Sequence, residues 1–380
     1  MAGNAGRLSR KPPGSNRLLL YACMAGYYPF LAVLCAAGGY LAFFFLRIGY
    51  QLGGALGFPF FAVGFSFVLM VLDVILALPA LFIGGNRRDP LEIELPRKWM
   101  TGLHALVEKV ARKRHVDPPD EVRLHADTVA HVYEDERGQR ILVVGGAAVA
   151  AFSQEALAGI IAHELGHFAG GDTRLSRIGM KWHRVMAVLE YRVHMHRWSL
   201  LNPLAWLVRL YHFVFGLLWA ANQRAEEYAA DSHDVAVAGA DVAASGLILF
   251  TVSEIMPWVR LSSIAEACVA AREPMNSIFA EQARRARAAS PSEWKDACRK
   301  ALKQKTGLFD THPCLKERLK AIGVSPRKAL DMAVPSAEPP ARALFANWEL
   351  VEKLLTEKIM AIYREVHQHK MELAQIFARH

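Results

Sequence analysis

Two histidines four residues apart, with a glutamate directly after the first, stand at His163-Glu164-Leu165-Gly166-His167. On a helix, positions i and i+4 share a face one turn apart. Both imidazoles can therefore reach one Zn²⁺, and Glu164 can reach a water beside it, which is the chemistry of metal-assisted hydrolysis. Leu157, Ile160 and Ile161 recur at helical spacing, Ser153 stands where an N-cap belongs, and Glu155 falls in the first turn, so the segment predicts a helix. The chain holds 15 histidines in 380 residues. At that density the pentapeptide arises by chance at a rate of roughly a few per cent, so its surroundings must carry the case.

A catalytic zinc needs a third protein ligand and an open fourth position. The extended metzincin pattern fails nearby: Gly170 fits its glycine, but the ligand position is Thr173 and Asp172 falls one residue short. Downstream, Arg224-Ala225-Glu226-Glu227-Tyr228-Ala229-Ala230-Asp231 places Glu227 and Asp231 four apart on one helix face. Glu227 can ligate zinc, and Asp231 can accept a hydrogen bond from the far nitrogen of a ligating histidine. Taken alone, this octet reads as an ordinary solvated helix. A third block follows at Asp310-Thr311-His312-Pro313, with Arg318 six residues after the histidine.

These three blocks, in this order, resemble the HtpX and CAAX-prenyl-protease group of integral-membrane zinc metallopeptidases. The resemblance covers roughly residues 95–323. It implies a mainly α fold with a small β-sheet: a gluzincin-like metallopeptidase domain behind N-terminal transmembrane helices. It implies one Zn²⁺ per chain on His163, His167 and Glu227, with Glu164 as general base and Asp231 behind the ligands. It also implies that His312 and Arg318 lie near the substrate carbonyl.

The rest of the chain must position these residues. The hydrophobic fraction is 53% and the net charge +9. In a chain with long apolar runs, that charge points to cytoplasmic loops and anionic lipid rather than to nucleic acid, and no nucleic-acid motif is present. Cys23, Cys35, Cys268, Cys298 and Cys314 show no CxxC spacing, which argues for a reducing compartment and against a cysteine zinc site. Residues 1–17 form a basic N-terminus. Residues 18–86 hold two transmembrane helices: Leu18–Leu46 carries no charge, and Gly53–Gly85 carries only Asp73, each long enough to span a bilayer. Asp73 reads either as a helix-packing or substrate-path contact, or as a protonated or snorkelling side chain. Four basic residues precede the first span, four follow the second, and only Arg47 lies between. The positive-inside rule then puts the N-terminus and everything after residue 86 in the cytoplasm, as expected of a multi-pass protein of a bacterial inner membrane.

Residues 87–323 are the peptidase domain. It opens on an amphipathic helix at 97–114 and a strand at Val122–Ala126, followed by a charged turn at Glu134–Gly138. A continuous β-branched strand at 140–146 comes next. In zinc proteases of the resembled type a substrate backbone pairs with such a strand, so Val143, Val144, Gly145 and Gly146 are expected to form the substrate edge, the glycines permitting close approach. Residues 178–198 carry too many charges to span lipid cheaply, and 200–221 is more apolar. Because His163, His167 and Glu227 must meet at one ion, the chain between them crosses the membrane an even number of times. The reading is a helical hairpin over about 178–221, lying along or dipping into the bilayer, its second arm running into the Glu227 helix. His183, His194, His196 and His212 are then surface or interfacial residues, not ligands. Residues 324–340 read as a Pro-rich linker, and 341–380 as an amphipathic helix for which docking on the domain is the default reading, with self-association and partner binding as the alternatives.

The expected function is hydrolysis of peptide bonds in polypeptides, membrane proteins above all, as quality control. The alternatives are a processing protease for one lipidated or signal-bearing substrate, and a catalytically silent membrane scaffold. An intact Glu164 argues against the scaffold.

Overall fold

The structure, a computed structural model, describes residues 17–81, 89–126, 130–169, 172–195, 202–334 and 341–377. Residues 1–16 of the basic N-terminus lie outside these, as do residues 335–340. Helices dominate, with one four-stranded sheet.

The chain opens with a helical hairpin, α1 (Arg17–Leu52) and α2 (Gly54–Ala77). Gly53 and Gly54 turn the corner at positive φ, +60° and +48°, which glycine adopts without steric cost. Just inside the corner the backbones nearly touch: a Cβ on Gly57 would lie 2.3 Å from the Gly49 carbonyl oxygen. Both helices are long and apolar enough to cross a membrane.

The peptidase domain follows. Strand β1 (Glu92–Ile93) and helix α3 (Thr101–Arg114) precede β2 (Glu121–His125), β3 (His131–Glu134) and β4 (Arg140–Gly145). The sheet order is β1-β2-β4-β3. Strand β4 pairs in parallel with β2 along its length and antiparallel with β3 from Arg140 to Val143, so that stretch is interior and the expected substrate edge is closed at Val143, while Val144 and Gly145 pair with β2. A run buried on both faces is continuously apolar, whereas a one-faced edge alternates; Ile141 to Val144 are all buried. Gly146 makes room for protein: a Cβ would lie 2.7 Å from Leu355 and 3.0 Å from Phe279. The edge beside the active-site helices is β3, which contacts α5 and α6.

Short α4 (Gly146–Ala151) leads into α5 (Gln154–Ala169), the HELGH helix. Then come α6 (Asp172–Met195) and α7 (Pro203–Ala238). Asn202 caps α7 by accepting from Leu204 N, with Pro203 in the first turn. Helices α6 and α7 pack on each other, and α7 runs unbroken from its apolar arm into Glu227.

Helices α6 and α7 pack on α1 and α2 around one apolar cluster that includes Leu20, Tyr27, Val74, Leu189 and Phe215. Along α1 the partners in α7 run backwards. Arg17 pairs with Glu226 at 3.3 Å, Tyr27 Oη lies 3.2 Å from His212 Nε2, and a Cβ on Gly38 would meet Leu204 at 3.4 Å. The start of α7 therefore lies level with the middle of the α1–α2 hairpin, and Asn202 Nδ2 donates to Ser66 O in mid-α2. Buried Asp73 forms an ion pair with Arg192 of α6 at 3.3 Å, so it is a helix-packing contact.

Helices α8 (Ala240–Ile255), α9 (Leu261–Ala271), α10 (Ile278–Ala288), α11 (Pro291–Lys303), α12 (Leu315–Ala321) and α13 (Pro326–Asp331) complete the body. The Pro-rich stretch is no linker up to residue 334. Ser325 Oγ accepts from Lys328 N with Pro326 in the first turn, and Ala329 is buried in the α8–α11–α12 core. Proline at the first helical position favours a helix start. Helix α14 (Trp348–Phe377) docks Val351, Leu355 and Ile359 into the core shared by α3, β4 and α5.

Candidate active site

Helices α5 and α7 form the site because small residues let them approach. A Cβ on Gly159 would lie 2.1 Å from Asp234 Oδ1, and one on Gly166 would lie 3.2 Å from Ala230 Cα. That contact faces His163 and His167 toward the stripe Glu227, Asp231, Asp234, spaced by four and three residues along α7.

His163 Nε2 lies 3.7 Å from Glu227 Oε2, and His167 Nε2 lies 3.8 Å from Glu227 Oε1. The three side chains offer ligand atoms all within 4.8 Å of one another, a grouping that could hold a metal ion. Zinc bonds of about 2.1 Å at the tetrahedral angle give a donor–donor separation of about 3.4 Å, so these residues fit a zinc ion with only slight closure. The orientation of one ring supports the fit. His163 Nδ1 lies 3.1 Å from Asp231 Oδ1, which leaves its Nε2 free to bind the ion.

Glu164 is buried at 8% exposure. Burial pushes its carboxyl up from the ordinary glutamate range, against the pull of His163 and His167, a shift that suits a proton acceptor working near neutrality. His312 Nδ1 lies 3.0 Å from Glu227 Oε1, while the ring stays 71% exposed. That hydrogen bond raises its pKa.

Arg318 differs from expectation. Its Nε donates to Asp231 Oδ2 at 2.9 Å, Nη2 donates to Oδ1 of the same carboxylate, and Nη1 lies 3.3 Å from Glu227 Oε2. A bidentate guanidinium–carboxylate pair has fixed geometry. Arg318 therefore clamps the two acids of α7. The His312 ring is the more exposed of the two side chains.

His183, His194 and His212 stay away from this centre. His183 packs edge-on to Phe215 and Trp219, and exposed His194 contacts the Glu190 carbonyl. His212 is buried beside Tyr27 rather than exposed. His196 lies outside the described residues. Sequence reasoning missed Asp234 and the Glu226–Asn222–Arg17 contact beside the ligand. Asp234 was findable, since it continues the Glu227–Asp231 stripe by one more turn. The Arg17 contact was not, because its partner lies 209 residues away.

Residues 99–324 match peptidase family M48. Among solved structures, the crystal structure of S. mikatae Ste24p matches at a TM-score of 0.34 and 15% identity. The match covers 80% of this chain and 66% of that one, so the chain spans just under two thirds of that protein's length. Among curated proteins, none matches the chain. With the family match extending over more than half of its 380 residues and containing all three sequence blocks, the chain belongs to peptidase family M48, a family of zinc metallopeptidases.

Proposed function

We propose that this chain is a membrane-anchored zinc endopeptidase that cleaves polypeptides at the cytoplasmic face of the membrane. The observation that carries the reading is the meeting of His163, His167 and Glu227 from two helices, with Asp231 holding the far nitrogen of His163. A bound zinc supplies Lewis-acid polarisation and acidifies a water. Glu164, buried and with its pKa raised, accepts the water's proton and delivers it to the leaving amine. His312 donates to the substrate carbonyl oxygen as charge develops there. Arg318 and Asp231 hold Glu227 and His163 in place, an outer layer that tunes the ligands.

The membrane reading is supported by α1 and α2, each long and apolar enough to span. Helix α7 also meets that standard by length and composition, yet its start lies level with mid-α1 and mid-α2. That suits a re-entrant hairpin better than a full crossing and keeps both halves of the site on one side. The basic residues flanking the α1–α2 hairpin favour the cytoplasm as that side. Two spans without a many-helix chamber favour quality control of membrane proteins over processing of one lipidated substrate.

The test is zinc content and proteolysis, measured side by side for wild type, Glu164→Gln and Glu227→Ala in the full-length chain. Glu164→Gln should keep zinc and lose cleavage of an unfolded membrane protein, and Glu227→Ala should lower zinc stoichiometry. Wild-type cleavage by Glu164→Gln would overturn the mechanism, and unchanged zinc in Glu227→Ala under mild chelation would remove Glu227 from the site.

A further inference from the structure

Next to the site, the turn Gly307-Leu308-Phe309-Asp310 presents two apolar side chains outward, Leu308 at 68% and Phe309 at 50% exposure. The turn is well held. Gly307 N donates to Asp310 Oδ2 at 2.7 Å, and Arg224 Nη1 donates to the carbonyls of Leu308 and Asp310 at 3.3 and 2.7 Å. One edge of the Phe309 ring lies against α7, 5.4 Å from the Phe213 ring centroid and where a Gly216 Cβ would come within 3.0 Å. On that helix Trp206, Leu207, Leu210, Phe213 and Val214 are themselves exposed. The turn thus extends the apolar surface of α7 up to His312, three residues on.

Its height can be read along α1. Phe213 follows His212, which meets Tyr27, and Tyr27 precedes the α1 end at Leu52 by 25 residues (52 − 27). That is about 38 Å of helix at about 1.5 Å per residue, against about 30 Å of hydrocarbon and about 40–45 Å with headgroups. With the Leu52–Gly54 corner at the distal face, the turn lies at the headgroup boundary. Around buried Tyr27, the rings of Tyr28, Trp182 and Tyr211 cluster at the same height, with Tyr28 exposed, amphipathic rings of the kind that suit the headgroup level. Lys303 and Lys305, both exposed, lead into the turn, a charge that suits anionic headgroups.

We infer that the Gly307–Asp310 turn inserts Leu308 and Phe309 into the headgroup–acyl boundary of an anionic bilayer and holds the mouth of the active site, with His312, against the membrane. The inference rests on the reading of this chain as a membrane-anchored peptidase.

The test places a photo-crosslinking benzophenone residue at Leu308 of the full-length chain in phosphatidylethanolamine–phosphatidylglycerol vesicles. The same residue at exposed Glu349 on α14 is the comparison. Lipid adducts at 308 should exceed those at 349 by about tenfold, the order of effect of burying one leucine-sized side chain. In parallel, Leu308→Asp is assayed on one peptide sequence, free in solution and tethered to the vesicle by an apolar anchor. Cleavage of the tethered form should fall several-fold, with the free peptide unaffected. No excess of lipid adducts overturns the inference. An equal fall on both peptides assigns the turn to substrate binding and also overturns it. A wild type that binds no zinc and cleaves neither peptide would instead refute the peptidase reading, while the crosslinks still report on the turn.

Discussion

The two halves of α7 belong to one unbroken helix and differ in almost everything else. From Pro203 to Ala221 the helix turns apolar side chains outward and buries Leu204, Val208 and Phe215 against α1, α2 and α6. Its polar groups there are few and meet mainly rings: His212 lies beside Tyr27 and 3.8 Å from Glu190 Oε2, and the Arg209 guanidinium stands over the Trp206 ring. From Asn222 to Asp234 the buried polar groups are Asn222 and four acids, and three of the acids are answered: Glu226 by Asn222 and Arg17, Glu227 by His312 and Arg318, Asp231 by His163 and Arg318. A buried charge is tolerated when paired and hydrogen-bonded. The upper half is therefore fixed by directional polar contacts. The lower half is fixed by shape and by its apolar surroundings, where each polar contact matters less.

Four substitutions sharpen or break that contrast, taken from the largest effect to the smallest. Glu164→Gln faces the upper half and should cut hydrolysis about 10²–10⁴-fold while metal analysis shows full occupancy; a comparable rate would show that the buried carboxylate has no chemical role. Asp231→Asn weakens the grip on His163 and should lower metal affinity roughly 10–100-fold, read by competition with a chelating dye. Gly159→Ala drives a methyl into Asp234 and should destabilise the α5–α7 contact by about 1–3 kcal/mol, seen as a lower unfolding temperature in detergent together with lost zinc. The last change lies in the lower half. Tyr27→Phe removes the contact with His212 and should shift stability by only about 0.5–1.5 kcal/mol with activity unchanged. A catalytic loss from Tyr27→Phe as large as that from Asp231→Asn would erase the distinction between the halves.

How legible each half was in the sequence follows from the same contrast. Spacing of four along a helix pairs His163 with His167 and Glu227 with Asp231 before any fold is known, while only the resemblance to a known peptidase group joins the two pairs. The hairpin followed from charge content and from the need for its ends to meet. What a strand pairs with depends on distant chain. The continuous run Ile141–Val144 already carried the mark of an interior strand, but the four-residue β3 that covers its second edge is too short and mixed, at His131-Val132-Tyr133-Glu134, to announce itself. Likewise Arg318 sits six residues after His312, yet nothing local reveals that it closes on Asp231 across 87 residues. At Ser325-Pro326, proline richness suggested a linker where a cap and a first-turn proline start a helix.

The Arg17–Glu226 pair has a consequence for biosynthesis. Arg17, the first described residue, meets the chain neighbour of Glu227, and the Arg318 clamp comes later still. A ribosome must extend the chain well past residue 318 before the acids of α7 have their guanidinium. Until then a half-made copy has His163, His167 and Glu227 but not the guanidinium that holds Glu227 and Asp231 in place.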